Sequence, residues 1–189
     1  MQRGFIFDLD GTLADTMPAH FAAWTAIATR YGLTFPEARF YSLGGVPTRK
    51  IAELLVGEAG ASVDPQQVAL EKEQAFVDRL SQPGLIRPIK TVVDIARACR
   101  SQGPLAIASG GRRHLVERTL SLIEIADWFA AVVTAEDTAR HKPEPDVFLE
   151  AARRLGVQPE ACTVYEDTDL GLEAARRAGM AFVDIRPLL

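Results

Sequence analysis

The sequence predicts an α/β protein with a doubly wound, Rossmann-like parallel sheet and a helical cap inserted after the first strand. Three observations predict this fold. Short, continuously apolar runs are typical of strands buried on both faces of a sheet. Helical stretches with apolar residues at spacings of three and four alternate with these runs. The first two runs lie about ninety residues apart, although one βαβ crossover needs only about thirty.

The predicted strands and helices alternate along most of the chain. We expect strands at 4–7, 105–108, 130–133, 163–165 and 181–185, and helices at 88–101, 113–122, 145–155 and 170–178. The long interval after the first strand has helical patterns at 19–31, 48–56 and 65–80, separated by glycines and prolines that end helices. The predicted domains are therefore a catalytic core of 1–15 and 86–189 and a helical cap of 16–85.

The composition of the 189 residues is that of a globular protein, with 48% hydrophobic and 24% charged residues. A net charge of -4 without blocks of like charge argues against nucleic acid as a partner. No segment predicts a signal peptide or a membrane span, so we expect no membrane partner and a cytoplasmic location. Cys99 and Cys162 lack the spacing of a zinc site and are predicted to be buried apolar residues.

Acidic residues follow the first and fourth strands of the predicted core. Asp8 and Asp10 are two positions apart, so an extended segment places both carboxylates on one side, and Gly11 permits a tight turn after them. Glu166 and Asp167 follow the fourth strand in the same way. Ligands of open α/β sheets bind outside the carboxyl ends of the strands, so we expect these carboxylates to share one crevice.

The remaining strand ends carry groups suited to an anion. Ser109, Gly110 and Gly111 lead into a helix and resemble an anion seat made of main-chain donors. Lys142 precedes the next helix. Each close pair of carboxylates costs about 4 kcal/mol at about 4 Å and an effective dielectric near 20, so the crevice requires a cation. Mg²⁺ favours carboxylates together with substrate phosphate, which predicts a metal facing a phosphate.

These four segments together resemble the motifs of the haloacid dehalogenase superfamily in its phosphatase branch. The segment Asp-Leu-Asp-Gly-Thr at 8–12 is the first motif, Ser109 the second, Lys142 the third and Glu166-Asp167 the fourth. Each motif alone is weak, but four in this order are a strong signal. The helical insertion and the residues at 171–180 resemble the β-phosphoglucomutase-like group, and the whole chain is most similar to its small sugar phosphatases, which act on fructose 1-phosphate or 6-phosphogluconate.

The resemblance implies a phosphoric monoester hydrolase that uses Mg²⁺ and a small phosphorylated metabolite, with an aspartyl-phosphate intermediate. By the same resemblance Asp8 is the nucleophile and Asp10 the general acid and base. Ser109, Gly110 and Lys142 bind the phosphoryl group. The metal ligands are Asp8, the main-chain carbonyl of Asp10 and Asp167, with Glu166 close by or acting through water.

Three cap residues are candidates for substrate specificity. Arg49 matches a group position that binds the non-reacting end of the substrate, His20 matches a position near the mouth of the site, and Lys72 is a further candidate. The simpler interpretation of Arg49 and Lys50 is a solvated pair on the surface. For His20 it is a histidine at the boundary of an amphipathic helix. The stripe of Phe21, Trp24, Ala28 and Tyr31 predicts cap core rather than a sugar-stacking surface.

The structural alternatives for the motif residues are turns and helix caps. An isolated Asp-x-Asp-Gly segment is usually a solvated turn, and Ser109 and Lys142 have ordinary surface readings. Asp169 is expected to cap the last long helix rather than to bind a metal. The competing function is a phosphomutase of the β-phosphoglucomutase type, which uses the same aspartyl phosphate but returns the group to a sugar. Non-catalytic phosphometabolite binding is the remaining alternative.

Overall fold

The computed structural model describes residues 2–82 and 84–189. The chain divides into two compact units, Met1–Asp15 with Arg87–Leu189, and Thr16–Ile86. This division differs by one residue, Ile86, from the predicted one. The elements in chain order are β1 (Gly4–Phe7), β2 (Ala14–Asp15), α1 (Met17–Tyr31), α2 (Glu37–Ser42), α3 (Thr48–Ala59), α4 (Pro65–Leu80), β3 (Arg87–Pro88), α5 (Lys90–Cys99), β4 (Leu105–Ala108), α6 (Arg113–Leu122), β5 (Ala131–Val133), α7 (Asp146–Leu155), β6 (Cys162–Glu166), α8 (Asp169–Arg177) and β7 (Ala181–Asp184).

A five-stranded parallel sheet with the order β5-β4-β1-β6-β7 forms the centre of the first unit. β1 and β4 are completely buried, which explains their unbroken apolar sequences. Phe5 pairs with Leu105 on one side and with Thr163 on the other. Successive strands extend the sheet in one direction as far as β5 and then in the other from β6. The direction therefore changes between β1 and β6, which is where open α/β sheets bind ligands.

The helices of this unit pack apolar faces on the sheet. One continuous core joins Ile6 and Val133 of the strands to Phe148 of α7 and Ala174 of α8. This arrangement confirms the predicted doubly wound α/β fold. α5 begins at Lys90 rather than at 88, because Arg87–Pro88 pairs antiparallel with Ala14–Asp15. The sequence pattern did not predict this two-stranded ribbon.

The start of α8 differs from the prediction. The N-cap is Thr168, whose hydroxyl accepts a hydrogen bond from the main-chain N–H of Gly171 at 3.1 Å. Asp169 is the first helical residue, and its side chain is 87% exposed and pairs with Arg186. The prediction that Asp169 caps the helix was therefore wrong, because the hydroxyl before it already binds the open amide.

The second unit consists of α1, α2, α3 and α4. Its core contains Trp24, Ala28, Leu55 and Val68, and Phe21 and Tyr31 pack against it, among others. The aromatic stripe of α1 is cap core, as predicted. Gly32 and Gly60 end α1 and α3 in the left-handed conformation, and Asp64 caps α4 through the N–H of Gln66. The short helix α2 was not predicted.

Both cysteines are buried and free, as predicted. Among the described residues, no helix is both long enough and apolar enough to cross a membrane.

Candidate active site

Asp8 follows β1 directly and lies in a buried position, with only 6% of its surface exposed. Its N–H donates to the carbonyl of Tyr165 on β6 at 3.0 Å, which continues the sheet to the residue that carries the carboxylate. The chain then turns tightly. The N–H groups of Leu13 and Ala14 both donate to Leu9, and Gly11 has a φ of 84° within this turn.

Lys142 is a buried ammonium that joins two of the acidic strand ends. Its Nζ donates to Oδ1 of Asp8 at 2.6 Å and to Oε2 of Glu166 at 2.7 Å. A third contact, at 3.3 Å, goes to the main-chain carbonyl of Ala108, the residue before Ser109. The lysine therefore binds the ends of β1, β4 and β6 at once. Burial alone would lower its pKa, but the carboxylates of Asp8 and Glu166 raise it above the ordinary value.

Glu166 is fully buried and uses both carboxylate oxygens in hydrogen bonds. Oε2 accepts from Lys142, while Oε1 accepts from the N–H groups of Asp167 at 3.2 Å and Thr168 at 3.0 Å and from the Thr168 hydroxyl at 2.8 Å. A Cβ on Gly171 would collide with this carboxyl group, so the glycine leaves the space that Glu166 occupies. These bonds fix the turn that presents Asp167.

Asp167 faces the turn that follows Asp8. Its Oδ1 accepts a hydrogen bond from the Thr12 hydroxyl at 2.8 Å, and a Cβ on Gly11 would collide with its carboxyl group. Glycine at position 11 is thus required both by the positive φ and by the approach of Asp167. Carboxylate oxygens of Asp8, Glu166 and Asp167 lie within 4.8 Å of one another. The predicted convergence of these acids is therefore present in the fold.

The electrostatics of this cluster fit an additional cation. Burial, together with the charges of Glu166, Asp167 and Asp10, raises the pKa of Asp8 well above its usual range, and Lys142 only partly opposes this. Burial and the charge of Glu166 raise the pKa of Asp167 to about 7, despite the hydrogen bond from Thr12 and the charge of Lys142. One ammonium does not balance these carboxylates. A hard divalent ion with oxygen ligands would stabilise their ionised forms.

Ser109 lies at the end of β4 and is almost completely buried. Its N–H donates to the carbonyl of Val133 at 3.0 Å, and its Oγ accepts from the N–H of Gly111 at 3.0 Å. The Asp10 carboxylate belongs to the same neighbourhood, because Oδ2 lies 3.7 Å from the position of a Cβ built on Gly111. The second predicted motif and Asp10 therefore lie side by side.

The structure differs in one respect from the prediction that main-chain donors at the start of a helix form an anion site after Ser109. The first N–H group of α6, that of Arg113, already donates to both carboxylate oxygens of Glu136 at 3.2 and 3.1 Å. This protein carboxylate occupies the position that the dipole of α6 makes favourable for an anion. The N–H of Arg113 is therefore engaged by a protein carboxylate and is not available to a phosphate.

The specificity candidates lie in the helical unit. The Nζ of Lys72 donates to Nδ1 of His20 at 2.8 Å, and the His20 ring stacks on Phe76 with centroids 3.7 Å apart. Lys72 is buried. Arg49 is 73% exposed and pairs with Glu53, which Lys50 also contacts at 2.9 Å. His20 and Lys72 thus form one pair, and the roles of all three candidates in specificity stay predictions.

Sequence reasoning assigned no separate role to Thr12 or Thr168. Thr12 is completely buried and orients Asp167, whereas Thr168 binds Glu166 and caps α8. A signal for Thr168 was present, because a threonine directly before a helical pattern that begins with an acid is a typical N-cap. The contact of Thr12 joins residues 155 positions apart, and no local pattern indicates it.

Comparison with known proteins places this geometry in a family. The family model described as haloacid dehalogenase-like hydrolase matches residues 2–179. The chain belongs to the haloacid dehalogenase-like hydrolase family. The match confirms the resemblance seen in the sequence and, with the phosphatase relative described next, the predicted enzyme class, a phosphoric monoester hydrolase.

Three relatives of this haloacid dehalogenase-like hydrolase illustrate its place in the family. Fructose-1-phosphate phosphatase YqaB of Escherichia coli (strain K12) is 39% identical, with 98% of this chain and 97% of that protein covered. Beta-phosphoglucomutase of Bacillus subtilis (strain 168) is 29% identical, with coverages of 97% and 83%. The crystal structure of beta-phosphoglucomutase from Clostridium difficile superposes with a TM-score of 0.84 at 24% identity, covering 97% of this chain and 84% of that one. This last likeness concerns the fold.

Proposed function

We propose that the protein is a Mg²⁺-dependent phosphatase that hydrolyses a small sugar phosphate through a phosphorylated Asp8. The observation that carries this proposal is the buried contact of Asp8 with Lys142 beside the carboxylate of Asp167. A nucleophilic carboxylate needs a positive neighbour to receive an anionic phosphoryl group, and Lys142 supplies one at 2.6 Å.

The reaction would proceed in two displacements at phosphorus. A carboxylate oxygen of Asp8 attacks the phosphorus, the bond from phosphorus to the sugar oxygen breaks, and Asp10 donates a proton to that oxygen. Water then attacks the phosphorus while Asp10 takes its proton. The bond to Asp8 breaks, which releases inorganic phosphate, restores the Asp8 carboxylate and leaves Asp10 protonated for the next cycle.

The phosphoryl group would be held by Ser109, Gly110 and Lys142. Ser109 offers a hydroxyl, Gly110 is exposed and offers its main-chain N–H, and Lys142 offers its charge. The Lys142 contact with the carbonyl of Ala108, at 3.3 Å, supports their joint action, because it brings the ammonium to the residue preceding Ser109. Groups fixed before the substrate arrives need little reorganisation during the reaction.

The residues proposed to hold Mg²⁺ are Asp8, Asp167 and the main-chain carbonyl of Asp10. When bound, the ion would neutralise the carboxylates and the phosphate charge. Glu166 has both oxygens engaged by Lys142 and by the turn at 167–168, so we propose that it acts near the metal, directly or through water, rather than as a main ligand.

The substrate class follows from the relatives rather than from the core residues. The 39% identical relative is named as a fructose-1-phosphate phosphatase, and a 32% identical protein of Thermotoga maritima as a phosphorylated carbohydrates phosphatase. We therefore propose a sugar phosphate of the fructose 1-phosphate or 6-phosphogluconate type. Arg49, His20 and Lys72 are the proposed specificity residues of the cap.

The test is phosphate release from a panel of sugar phosphates, with and without Mg²⁺. Wild type should release phosphate only with the metal, and Asp8→Asn should release none. Asp169→Asn is the matched control, since this carboxylate lies in the neighbouring turn but is exposed and pairs with Arg186. It should keep full activity. Undiminished turnover in Asp8→Asn would refute the proposal.

A phosphomutase is the second candidate, and the 29% identical beta-phosphoglucomutase of Bacillus subtilis favours it. The two activities use the same core residues and differ in the acceptor of the phosphoryl group, which is water or a sugar. Incubation with β-glucose 1-phosphate distinguishes them. Free phosphate and glucose support the phosphatase, whereas glucose 6-phosphate supports the mutase.

A further inference from the structure

Residues Thr134, Ala135, Glu136 and Asp137, here called the 134–137 segment, follow β5 and lie against the Ser109–Gly111 loop. The N–H of Ala135 donates to the carbonyl of Gly111 at 3.0 Å. Just before the segment, the carbonyl of Val133 accepts from the N–H of Ser109, also at 3.0 Å. Both ends of the Ser109–Gly111 loop are thus bonded to the end of β5 and its continuation.

Side chains of the segment strengthen this contact. Glu136 accepts the N–H of Arg113 with both oxygens, at 3.2 and 3.1 Å, and so fixes the start of α6 directly after the loop. The charge of this carboxylate also complements the positive end of the helix dipole. The loop is therefore held at its two ends by main chain and at its exit by a carboxylate.

Asp137 is the centre of the contact. Its Oδ2 accepts from the N–H of Thr134 at 2.7 Å, from the Thr134 hydroxyl at 2.9 Å and from Nη2 of Arg113 at 2.5 Å. Its Oδ1 accepts from Nη2 of Arg154 on α7 at 2.6 Å, and the same guanidinium donates to the carbonyl of Val132 at 2.9 Å. One carboxylate thereby joins the end of β5, the first turn of α6 and the last turn of α7.

Asp137 is more buried and makes more hydrogen bonds than an ordinary surface ion pair, which contributes little to the free energy of unfolding. The Asp137 side chain is only 15% exposed, and two of its four hydrogen bonds hold the turn in which it lies. Burial would raise the pKa of Asp137, but hydrogen bonds from Arg154 and Thr134 lower it to about 2. The carboxylate is therefore charged at neutral pH, and its hydrogen bonds to the two arginines are charge-assisted.

The loop that begins with the 134–137 segment continues to Lys142, whose Nζ lies 3.3 Å from the carbonyl of Ala108. The Ser109–Gly111 loop is thus bonded to this segment through Gly111 and Ala135, and Lys142 lies on the loop that continues from it. We propose that Asp137 is a positioning residue that sets the Ser109–Gly111 loop and Lys142 in register for a phosphoryl group. The inference rests on the proposed function for the identity of that ligand.

The test measures binding without turnover. Inorganic phosphate is titrated into Mg²⁺-saturated protein by calorimetry, and Mg²⁺ is titrated separately into metal-free protein. Asp137→Asn should bind phosphate about tenfold more weakly, because misplaced donors lose binding steeply. Its affinity for Mg²⁺ should stay within about twofold, because the N–H of Asp8 bonds to Tyr165 and the carboxylate of Asp167 bonds to Thr12, and neither contact involves the 134–137 segment. With a sugar phosphate that the wild-type protein hydrolyses, Asp137→Asn should raise KM by a larger factor than it lowers kcat.

Glu150→Gln is the matched control. Glu150 is the other carboxylate partner of Arg154, at 2.7 Å, and belongs to α7 rather than to the 134–137 segment. It should keep wild-type phosphate affinity. Should Asp137→Asn fail to fold, Arg154→Lys is the second variant, because it weakens the same contact with the Asp137 carboxylate. It should lower the affinity for phosphate in the same way and leave the affinity for Mg²⁺ unchanged.

Three results would overturn the inference. They are phosphate affinity within twofold of wild type in Asp137→Asn, an equal loss of phosphate and Mg²⁺ affinity, and an equal loss of phosphate affinity in Glu150→Gln. A wild-type protein that binds phosphate but hydrolyses no phosphosugar would instead refute the proposed function, because the binding measurement does not depend on turnover.

Discussion

The raised pKa of Asp167 predicts that the metal-free protein loses stability as the pH rises. The ordinary pKa of an aspartate carboxyl is 3.8 and that of Asp167 in the folded state is about 7. Between these values the folded state holds a proton that the unfolded state has lost, so the free energy of unfolding falls with increasing pH. The loss begins near pH 4 and is complete slightly above pH 7.

The magnitude follows from the same two values. A carboxyl whose pKa rises from 3.8 to about 7 on folding removes on the order of 4 kcal/mol of stability at high pH, of which about 3 kcal/mol falls between pH 5 and pH 8. Asp8, whose pKa is also raised, acts in the same direction. Surface carboxylates with lowered pKa values, such as Glu150 and Glu173, contribute the opposite trend, but only below about pH 5. Lys142, with a raised pKa, stays charged throughout.

The assay is urea denaturation at pH 5 and pH 8, with EDTA or with saturating Mg²⁺. In EDTA the free energy of unfolding should be lower at pH 8 than at pH 5 by at least about 3 kcal/mol, and Mg²⁺ should restore stability mainly at pH 8. Asp167→Asn should show a much smaller dependence on pH. A metal-free protein that is equally stable at both pH values, or an Asp167→Asn variant with the wild-type dependence, would refute the reasoning.

Three substitutions test other contacts of the account. Lys142→Met leaves the buried carboxylates of Asp8 and Glu166 without their ammonium. It should lower the free energy of unfolding, measured by urea denaturation, by about 3–5 kcal/mol and lower kcat by at least about 10²-fold. Near-normal turnover would contradict this expectation. Gly171→Ala places a methyl group against the Glu166 carboxyl and should destabilise the protein by about 1–3 kcal/mol in the same assay, whereas an unchanged midpoint would show that the turn adapts. Arg49→Ala removes an exposed pair and should change stability by less than about 1 kcal/mol but raise KM for the sugar phosphate; an unchanged KM would exclude Arg49 from specificity.

The elements with strong local signals could be predicted from the sequence. β1 and β4 are continuously apolar because both faces of the sheet are covered, and α6 and α4 begin and end as the periodicity indicates. The short helix Glu37–Ser42 was not predicted, because six residues contain too few turns for a helical periodicity of apolar residues to be detected. The ribbon between Ala14–Asp15 and Arg87–Pro88 escaped because its two strands have two residues each and lie far apart in the chain.

The site was predictable as a set of residue types but not as a set of contacts. The rule that parallel strands present their carboxyl ends on one edge sufficed to bring Asp8 and Asp167 together. This rule did not indicate that one carboxylate oxygen of Glu166 accepts a hydrogen bond from Lys142 and the other accepts hydrogen bonds from the turn at 167–168. Nor did it indicate that Glu136 binds the first amide of α6, since these residues are 23 positions apart and meet only through the packing of two loops.

Chemical trapping of the intermediate tests the central claim most directly. Protein turning over a sugar phosphate in Mg²⁺ is quenched and treated with borohydride, which reduces an acyl phosphate to an alcohol, and the peptide containing residue 8 is analysed by mass spectrometry. The account predicts homoserine at position 8, dependent on substrate and Mg²⁺. Rapid phosphate release with Asp8 unmodified, or with a reduced carboxylate at another position, would contradict it.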